Sequence, residues 1–145
     1  MAYTTVDKST LHFTPKIYTG NNGASLTISG LNFKPDLTWV KARTASETNG
    51  LYDIIRGALY RLQSNSSNAS TSTAGTVTGW TSDGFSLGTS DEVNGTYNYA
   101  SWNWKANGSG SANTDGTINS TATSANTTSG FSIVTYTGTG ANATV

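Results

Sequence analysis

The sequence predicts an all-β protein, an antiparallel β-sandwich of jelly-roll-like character, and three observations support this prediction. Short apolar segments recur about every ten residues along the chain. Clusters of Gly, Asn, Asp, Ser and Pro separate these segments and provide turn chemistry. In the clearest segment, residues 96–106, apolar and polar residues alternate. This spacing and alternation are typical of antiparallel sandwiches.

The composition supports a packed domain and excludes several functional classes. The 145 residues include four Trp, seven Tyr and four Phe, which favour a core, and charged residues make up only 11%. The net charge is zero, so no electrostatic footprint for nucleic acid exists. Because there is no Cys, disulfides and thiolate metal sites are excluded. The first ten residues lack the segments of a signal peptide, and no apolar run is long enough for a membrane span.

The first strands follow a polar segment, residues 1–12, which we interpret as an extended N-terminal arm. From Phe13 the chain alternates with period two, and Pro15 predicts an edge strand because proline cannot donate to a neighbouring strand. Residues 20–23 (GNNG) have strong turn chemistry, and Leu26 and Ile28 then alternate with polar residues. We therefore expect a hairpin across residues 13–28.

The next two segments differ in how clearly their pattern predicts a structure. Residues 37–43 (LTWVKAR) are apolar on both faces, which predicts a central strand. Residues 51–62 (LYDIIRGALYRL) match a helical stripe, but Gly57 lies in the middle and opposes a helix. Two short strands with a turn at Arg56 and Gly57 also fit this segment. We favour the strands and keep a short helix around residues 51–62 as the alternative.

The second half contains the most regular strand. Residues 64–75 are a low-complexity loop, and short strands at 76–80 and 85–87 flank a turn. In residues 96–106 the alternation predicts that Trp102 and Trp104 share one buried face. Tyr97 and Tyr99 have the opposite parity, so we predict that they are exposed interface candidates. Residues 117–123 and 131–137 complete the predicted strands.

An internal repeat determines the predicted domain organisation. Residues 131–145 (FSIVTYTGTGANATV) echo residues 13–28 (FTPKIYTGNNGASLTI) in the order of Phe, Tyr-Thr-Gly, a Gly/Asn/Ala tract and an aliphatic residue. Such self-similarity indicates a duplicated unit. We predict an arm at residues 1–12, a β-sandwich domain at 13–129 and the start of a second repeat at 130–145.

The usual catalytic ingredients are few, so we predict no catalytic, cofactor or metal site and no enzyme activity. His12 is the one histidine, and no G-x-S-x-G motif could supply a nucleophilic serine. The aspartates have adequate roles as turn formers. A calcium site that uses Asp83, Asp91 or Asp115 stays an alternative without a supporting motif.

Several motifs in order resemble a repeated β-domain of virion proteins in tailed bacteriophages, especially marine phages. The resembling segments are residues 32–41 (NFKPDLTWVK), 51–57 (LYDIIRG), 61–65 (RLQSN), 82–88 (SDGFSLG), 99–106 (YASWNWKA) and 130–140 (GFSIVTYTGTG). One departure is that Asn103 stands where that family often has Cys, and a polar residue there fits the parity assigned to the two tryptophans. The resemblance covers about residues 13–145.

The resemblance implies a non-enzymatic structural component of a phage particle, assembled in the host cytoplasm and located in the virion. We expect the virion-proximal part of a tail fibre, attached to the tail, with other virion proteins as partners and a homotrimeric state. The alternatives are a capsid-decorating protein and a glycan-binding module that recognises a host surface glycan. The expected attachment residues in the arm are Tyr3, Val6, Lys8, Leu11 and His12.

Overall fold

The structure, a computed structural model that describes residues 6–145, is an antiparallel β-sandwich, which confirms the predicted fold class. Within these residues a six-stranded sheet faces a three-stranded sheet, and a two-stranded hairpin forms a third, separate sheet. The elements in chain order are β1 (Phe13–Thr19), β2 (Leu26–Ile28), β3 (Leu37–Ala42), β4 (Gly50–Asp53), β5 (Tyr60–Gln63), β6 (Thr71–Ser72), β7 (Val77–Thr81), β8 (Gly84–Leu87), the single-turn helix α1 (Asp91–Asn94), β9 (Asn98–Trp104), β10 (Ser120–Asn126) and β11 (Phe131–Tyr136).

The strand order explains the central and edge positions. The larger sheet has the order β1-β9-β3-β4-β5-β6, and the smaller has the order β2-β8-β7. β3 pairs with β9 on one side and with β4 on the other, which confirms the central strand predicted from its two apolar faces. β1 lies at the edge, as Pro15 predicts.

One hydrophobic core fills the space between the two sheets. Val40, Tyr52 and Tyr99 of the larger sheet and Phe85 and Leu87 of the smaller sheet are fully buried there. Burying each such side chain stabilises the fold by about 1.5–3 kcal/mol relative to leaving it in water. We call the face of the larger sheet that contacts this core the inner face and the opposite face the outer face.

The hairpin predicted across residues 13–28 is wrong, because its two strands belong to different sheets. β1 pairs with β9, and β2 pairs with β8. The intervening GNNG segment is bonded to the turn before β9: Gly20 N–H donates to Tyr97 O and Asn22 N–H donates to Asn94 O, each at 3.0 Å. This segment therefore carries the chain from one sheet to the other.

Residues 51–62 form two strands, so the helix alternative is excluded. The chain reverses between β4 and β5, where Gly57 and Leu59 have φ angles of +94° and +70°. Asp53 stabilises the reversal, since its Oδ1 accepts from Ile55 N–H at 3.1 Å and from Arg56 N–H at 2.9 Å. The strand ends because Asp53 offers these amides a local partner.

The alternation predicted in β9 is present, but its two faces are inverted. Ser101 and Asn103 are fully buried on the inner face, whereas Trp102 and Trp104 are half-buried on the outer face. Asn103 Nδ2 donates to Thr14 O and to Ser101 Oγ, each at 3.0 Å, so this buried amide joins β9 to the edge strand. The prediction that the two indoles face the main core is therefore wrong.

The last two strands form the separate hairpin. β10 pairs with β11 in antiparallel register, which confirms the strand predicted at residues 131–137. The weak strand predicted at residues 117–123 begins three residues later, at Ser120. The domain boundary at residue 129 stays a prediction.

Candidate functional site

The outer face of the larger sheet is the surface of most functional interest because it carries large apolar side chains without a full covering layer. Strand pairing aligns these side chains in rows across β1, β9, β3, β4 and β5. The first row contains Phe13, Trp104 and Leu37; the second contains Pro15, Trp102, Trp39, Leu51 and Leu62; the third contains Ile17 and Ala100.

Each of the first two rows contains a pair of aromatic rings in contact. The ring centroids of Phe13 and Trp104 are 5.0 Å apart, and those of Trp39 and Trp102 are also 5.0 Å apart, with a 39° interplanar angle. Aromatic pairs of this kind contribute about 0.5–1.5 kcal/mol beyond their buried area. The face is thus a preorganised aromatic surface rather than a set of isolated side chains.

Exposure rises towards both ends of these rows. Ile17 is 71% exposed at the edge strand, and Leu62 is 43% exposed at the opposite side of the sheet. Between them Trp39 and Trp102 are half-buried. Contiguous apolar exposure of this kind is typical of interaction surfaces.

The β10–β11 hairpin covers part of the outer face. Phe131 stacks on Trp104 with centroids 6.0 Å apart and an interplanar angle of 19°. Between β11 and the sheet lies a groove of about 360 Å³, whose apolar floor is formed by Leu37, Leu51 and Leu62. Phe131 therefore fixes one end of the hairpin on the sheet. The groove shows that the rest of β11 is not tightly packed against the outer face.

Asp53 and Arg56, which line this groove, form a charged pair with a structural role. Arg56 Nε donates to Asp53 Oδ2 at 2.6 Å, and the remaining guanidinium nitrogens donate to Ser70 Oγ and Leu51 O, each at 3.0 Å. Arg56 therefore uses both terminal nitrogens and Nε to brace the turn between β4 and β5.

The two tyrosines predicted as exposed interface residues are not exposed. Tyr99 is fully buried in the core, and Tyr97 is half-buried against it, so the prediction is wrong for both. Tyr99 OH donates to Asp91 O and accepts from Gly95 N–H, and burial raises the pKa of Tyr99 to about 12. The prediction correctly placed the two tyrosines on the side of the strand opposite to Trp102 and Trp104. It was wrong about which of these two sides faces the core.

The predicted attachment arm is only partly described, and Tyr3 lies outside the described residues. Ser9–Leu11 form a 3-10 turn, so this part is not extended as predicted. His12 is bound to the body of the domain: its carbonyl accepts from Lys105 N–H at 2.9 Å, and Nδ1 lies 3.2 Å from Asn126 Nδ2. Leu11 is 41% exposed. Val6 is half-buried and Lys8 is exposed.

The buried carboxylates participate in structural bonds. Glu92 is buried beside Arg61, with which it forms an ion pair, and its Oε1 accepts from Tyr52 OH at 2.8 Å. Asp36 Oδ2 accepts from Ala106 N–H at 2.7 Å. A buried ion pair of this kind fixes a geometry more than it adds free energy.

Asp83 fixes the connection between β2 and β3. Its carboxylate accepts from Gly30 N–H at 2.9 Å and from Asn32 N–H at 2.6 Å. These backbone bonds lower the pKa of Asp83 from its ordinary value. Asp83, Asp91 and Asp115, the aspartates named for a calcium site, are not brought together: within residues 6–145 no three His, Asp or Glu side chains are grouped to hold a metal ion.

The outer face was not identified from the sequence as a site, although a signal for it existed. The apolar residues on both faces of β3 indicated a second apolar surface, but we interpreted it as fully buried. Ile17, with its 71% exposure, had no sequence feature that set it apart from a buried strand residue.

Comparison with known proteins gives a family for the chain. The sequence profile of a domain of unknown function, DUF7483, matches residues 8–145. The chain belongs to this family. No curated protein and no solved structure matches it. The described part of the DUF7483 chain has no helix long and apolar enough to cross a membrane.

Proposed function

We propose that this DUF7483 chain is a non-enzymatic structural component of a phage particle, the virion-proximal part of a tail fibre that attaches the fibre to the tail. The observation that carries the structural role is the contrast between a sealed inner core and an open outer face. Apolar surface as exposed as Ile17 and Leu62 favours contact with another protein.

The polar groups support an assembly role over a reaction centre. The buried carboxylates Glu92, Asp36 and Asp53 are each bonded to a neighbouring side chain or backbone amide. A general acid or base needs a free position within hydrogen-bond reach of a substrate. These carboxylates therefore serve the fold.

The phage context rests on the sequence motifs. Residues 32–41 and 82–88 resemble segments of the repeated virion domain, and both lie beside the core: Phe33 is buried, and Asp83 fixes the connection that precedes it. The neutral, Ser/Thr/Asn-rich surface suits an extracellular particle because it depends little on charge pairs that salt screens.

Gold-labelled antibodies against the 145-residue chain, applied to purified particles, test the location. We expect label where the fibres join the tail. Label on the head would replace the tail assignment with capsid decoration. If disrupted particles contain no such chain by immunoblot and mass spectrometry, the virion proposal is wrong.

The homotrimer is tested by light scattering coupled to size-exclusion chromatography. We expect three times the 15.1 kDa chain mass. A mass of 15.1 kDa at every concentration would contradict self-trimerisation by these residues and leave the labelling result unaffected.

A second candidate function, binding of a host surface glycan, is favoured by the Trp39–Trp102 pair on the open face. Sugars stack on half-exposed indoles, and both indoles are half-buried on this face. On a glycan array, Trp102→Ala should abolish binding, whereas Tyr136→Ala, which changes an exposed aromatic residue outside this face, should retain it. Equal loss, or no binding by the unaltered chain, would contradict this function.

A further inference from the structure

β1 and β11 carry the same residue pattern but lie in different surroundings. In β1, Tyr18 OH donates to Val93 O at 2.9 Å, and its ring stacks on Tyr99 with centroids 5.1 Å apart. The equivalent residue in β11, Tyr136, is 55% exposed. The repeat thus places at the surface a tyrosine whose counterpart packs in a core.

Equivalent side chains of β1 and β11 also lie on equivalent sides of the two strands. Phe13 lies on the outer face, and its equivalent Phe131 faces the same aromatic layer by stacking on Trp104. The alternate residues of β11 point outward, and Val134 among them is 38% exposed. In β1 the alternate residues face the inner core. β11 therefore presents towards solvent the face that β1 presents to a second sheet.

The hydrogen bonds of the residues that flank β1 show which of its backbone groups face β9. His12 O accepts from Lys105 N–H at 2.9 Å, and Gly20 N–H donates to Tyr97 O at 3.0 Å. Because backbone groups alternate along a strand, the even-numbered residues between them face β9. Pro15, which lacks an N–H, faces the open edge.

In β11 the even-numbered residues face the free edge. Thr123 of β10 exchanges both of its backbone bonds with Ser111, at 2.7 and 3.1 Å, so it faces away from β11. Its neighbour Ser124 then faces β11 and bonds with its partner Ile133. The free edge therefore presents the backbone groups of Ser132, Val134 and Tyr136, which are the equivalents of those that bind β9 in β1.

This free edge is turned towards the uncovered part of the outer face. β10 lies past the end of the sheet, where Ser124 Oγ accepts from Asn107 N–H at 2.8 Å and Asn126 Nδ2 donates to Lys105 O at 3.3 Å. β11, on the opposite side of the hairpin, lies over Trp104 and lines the groove with Leu51 and Leu62, which end the row that contains Trp102 and Trp39. Its free edge therefore faces the rest of that row. A strand added to this edge would lie over that row.

We propose that β11 is the first strand of a second β-sandwich of the same fold, which docks on the free edge through a strand equivalent to β9 and covers the outer face. The occupant is a second copy of this domain, because Tyr136 and the free edge of β11 correspond to Tyr18 and to the edge by which β1 binds β9. This inference rests on the proposed role of the outer face as an interface and not on the virion location.

A tandem chain tests the proposal. Residues 1–145 are followed directly by a second copy of residues 29–145, since Val145 is the repeat equivalent of Ile28. The added copy lacks β1 and β2 and depends on residues 131–145 to replace them. In hydrogen exchange followed by mass spectrometry, we expect its β9 amides to exchange at least 100-fold more slowly than those of an unfolded chain.

The matched variants of the tandem chain change only the outward residues of β11. Val134→Asp with Tyr136→Ala should remove the protection of the added copy and leave the first copy protected. Thr127→Asp, at an exposed position in the hairpin turn, should leave both copies protected. No protection of the added copy in the unaltered tandem chain, or equal protection in the double variant, would overturn the proposal. Either result leaves the antibody labelling of particles unaffected.

Discussion

β1 and β11 differ less in sequence than in what their alternate side chains contact. In β1 the Tyr18 side of the strand is packed against Tyr99 and Phe85, whereas in β11 the Tyr136 side is open. The difference shows that the repeated pattern places an aromatic residue on each side of the strand. The side that carries the tyrosine is covered by a second layer in β1 and uncovered in β11. From its exposure alone, Tyr136 is only an exposed aromatic residue. The comparison with its packed counterpart Tyr18 identifies the position as a docking site.

The largest expected difference between the two strands is the loss of stability when each tyrosine is replaced by alanine. Tyr18→Ala should lower the free energy of unfolding by about 3 kcal/mol, because it removes a core ring and its bond to Val93 O. Tyr136→Ala should change it by less than about 0.5 kcal/mol in the 145-residue chain. Urea unfolding measures both values, and equal costs would contradict the assigned surroundings.

A smaller difference in stability is expected between substitutions at the equivalent positions 133 in β11 and 15 in β1. Ile133→Pro should destabilise the hairpin by about 1–2 kcal/mol, because it removes the N–H that faces β10 and leaves a carbonyl unpaired. Pro15→Ile should be nearly neutral, since residue 15 faces an open edge. Amide exchange of β10 reports the first change. Unaltered exchange in Ile133→Pro would show that the assigned direction of the backbone groups is wrong.

The smallest effect concerns the chain that follows β1. Asp83 binds Gly30 and Asn32, and these bonds lower its pKa in the folded state. A carboxylate with a lowered pKa stabilises the fold above its ordinary pKa, and this stabilisation is lost as the pH falls through the folded value. Asp83→Asn should therefore lower Tm at pH 7 and have less effect near pH 2. A Tm difference that stays constant with pH would contradict this role.

The sequence predicted the strands better than their partners. The period-two patterns located β1, β3 and β9, and Pro15 identified the edge, because these properties are local. The GNNG segment predicted a hairpin, but its backbone bonds to Tyr97 and Asn94 are long-range and leave no local signal. The faces of β9 were inverted for a similar reason: Asn103 is satisfied by Thr14 O on another strand.

The candidate site was less accessible to prediction than the fold. The tyrosines chosen as interface residues are core residues, while Ile17 and Trp102 lie on the open face. Which face of a strand is covered depends on the second sheet, and a period of two cannot specify it. Two sequence features pointed to this surface: the apolar residues on both faces of β3 and the repeat in residues 131–145.

The most direct test of a docking position at β11 is the exchange rate of its free-edge amides, measured by NMR in the 145-residue chain and in the tandem chain. We expect the amides of Ser132, Val134 and Tyr136 to exchange at least tenfold more slowly in the tandem chain, because a strand equivalent to β9 would accept their hydrogen bonds. The amide of Ile133, which faces β10, should be protected in both chains. Equal rates for the three free-edge amides in both chains would contradict the account.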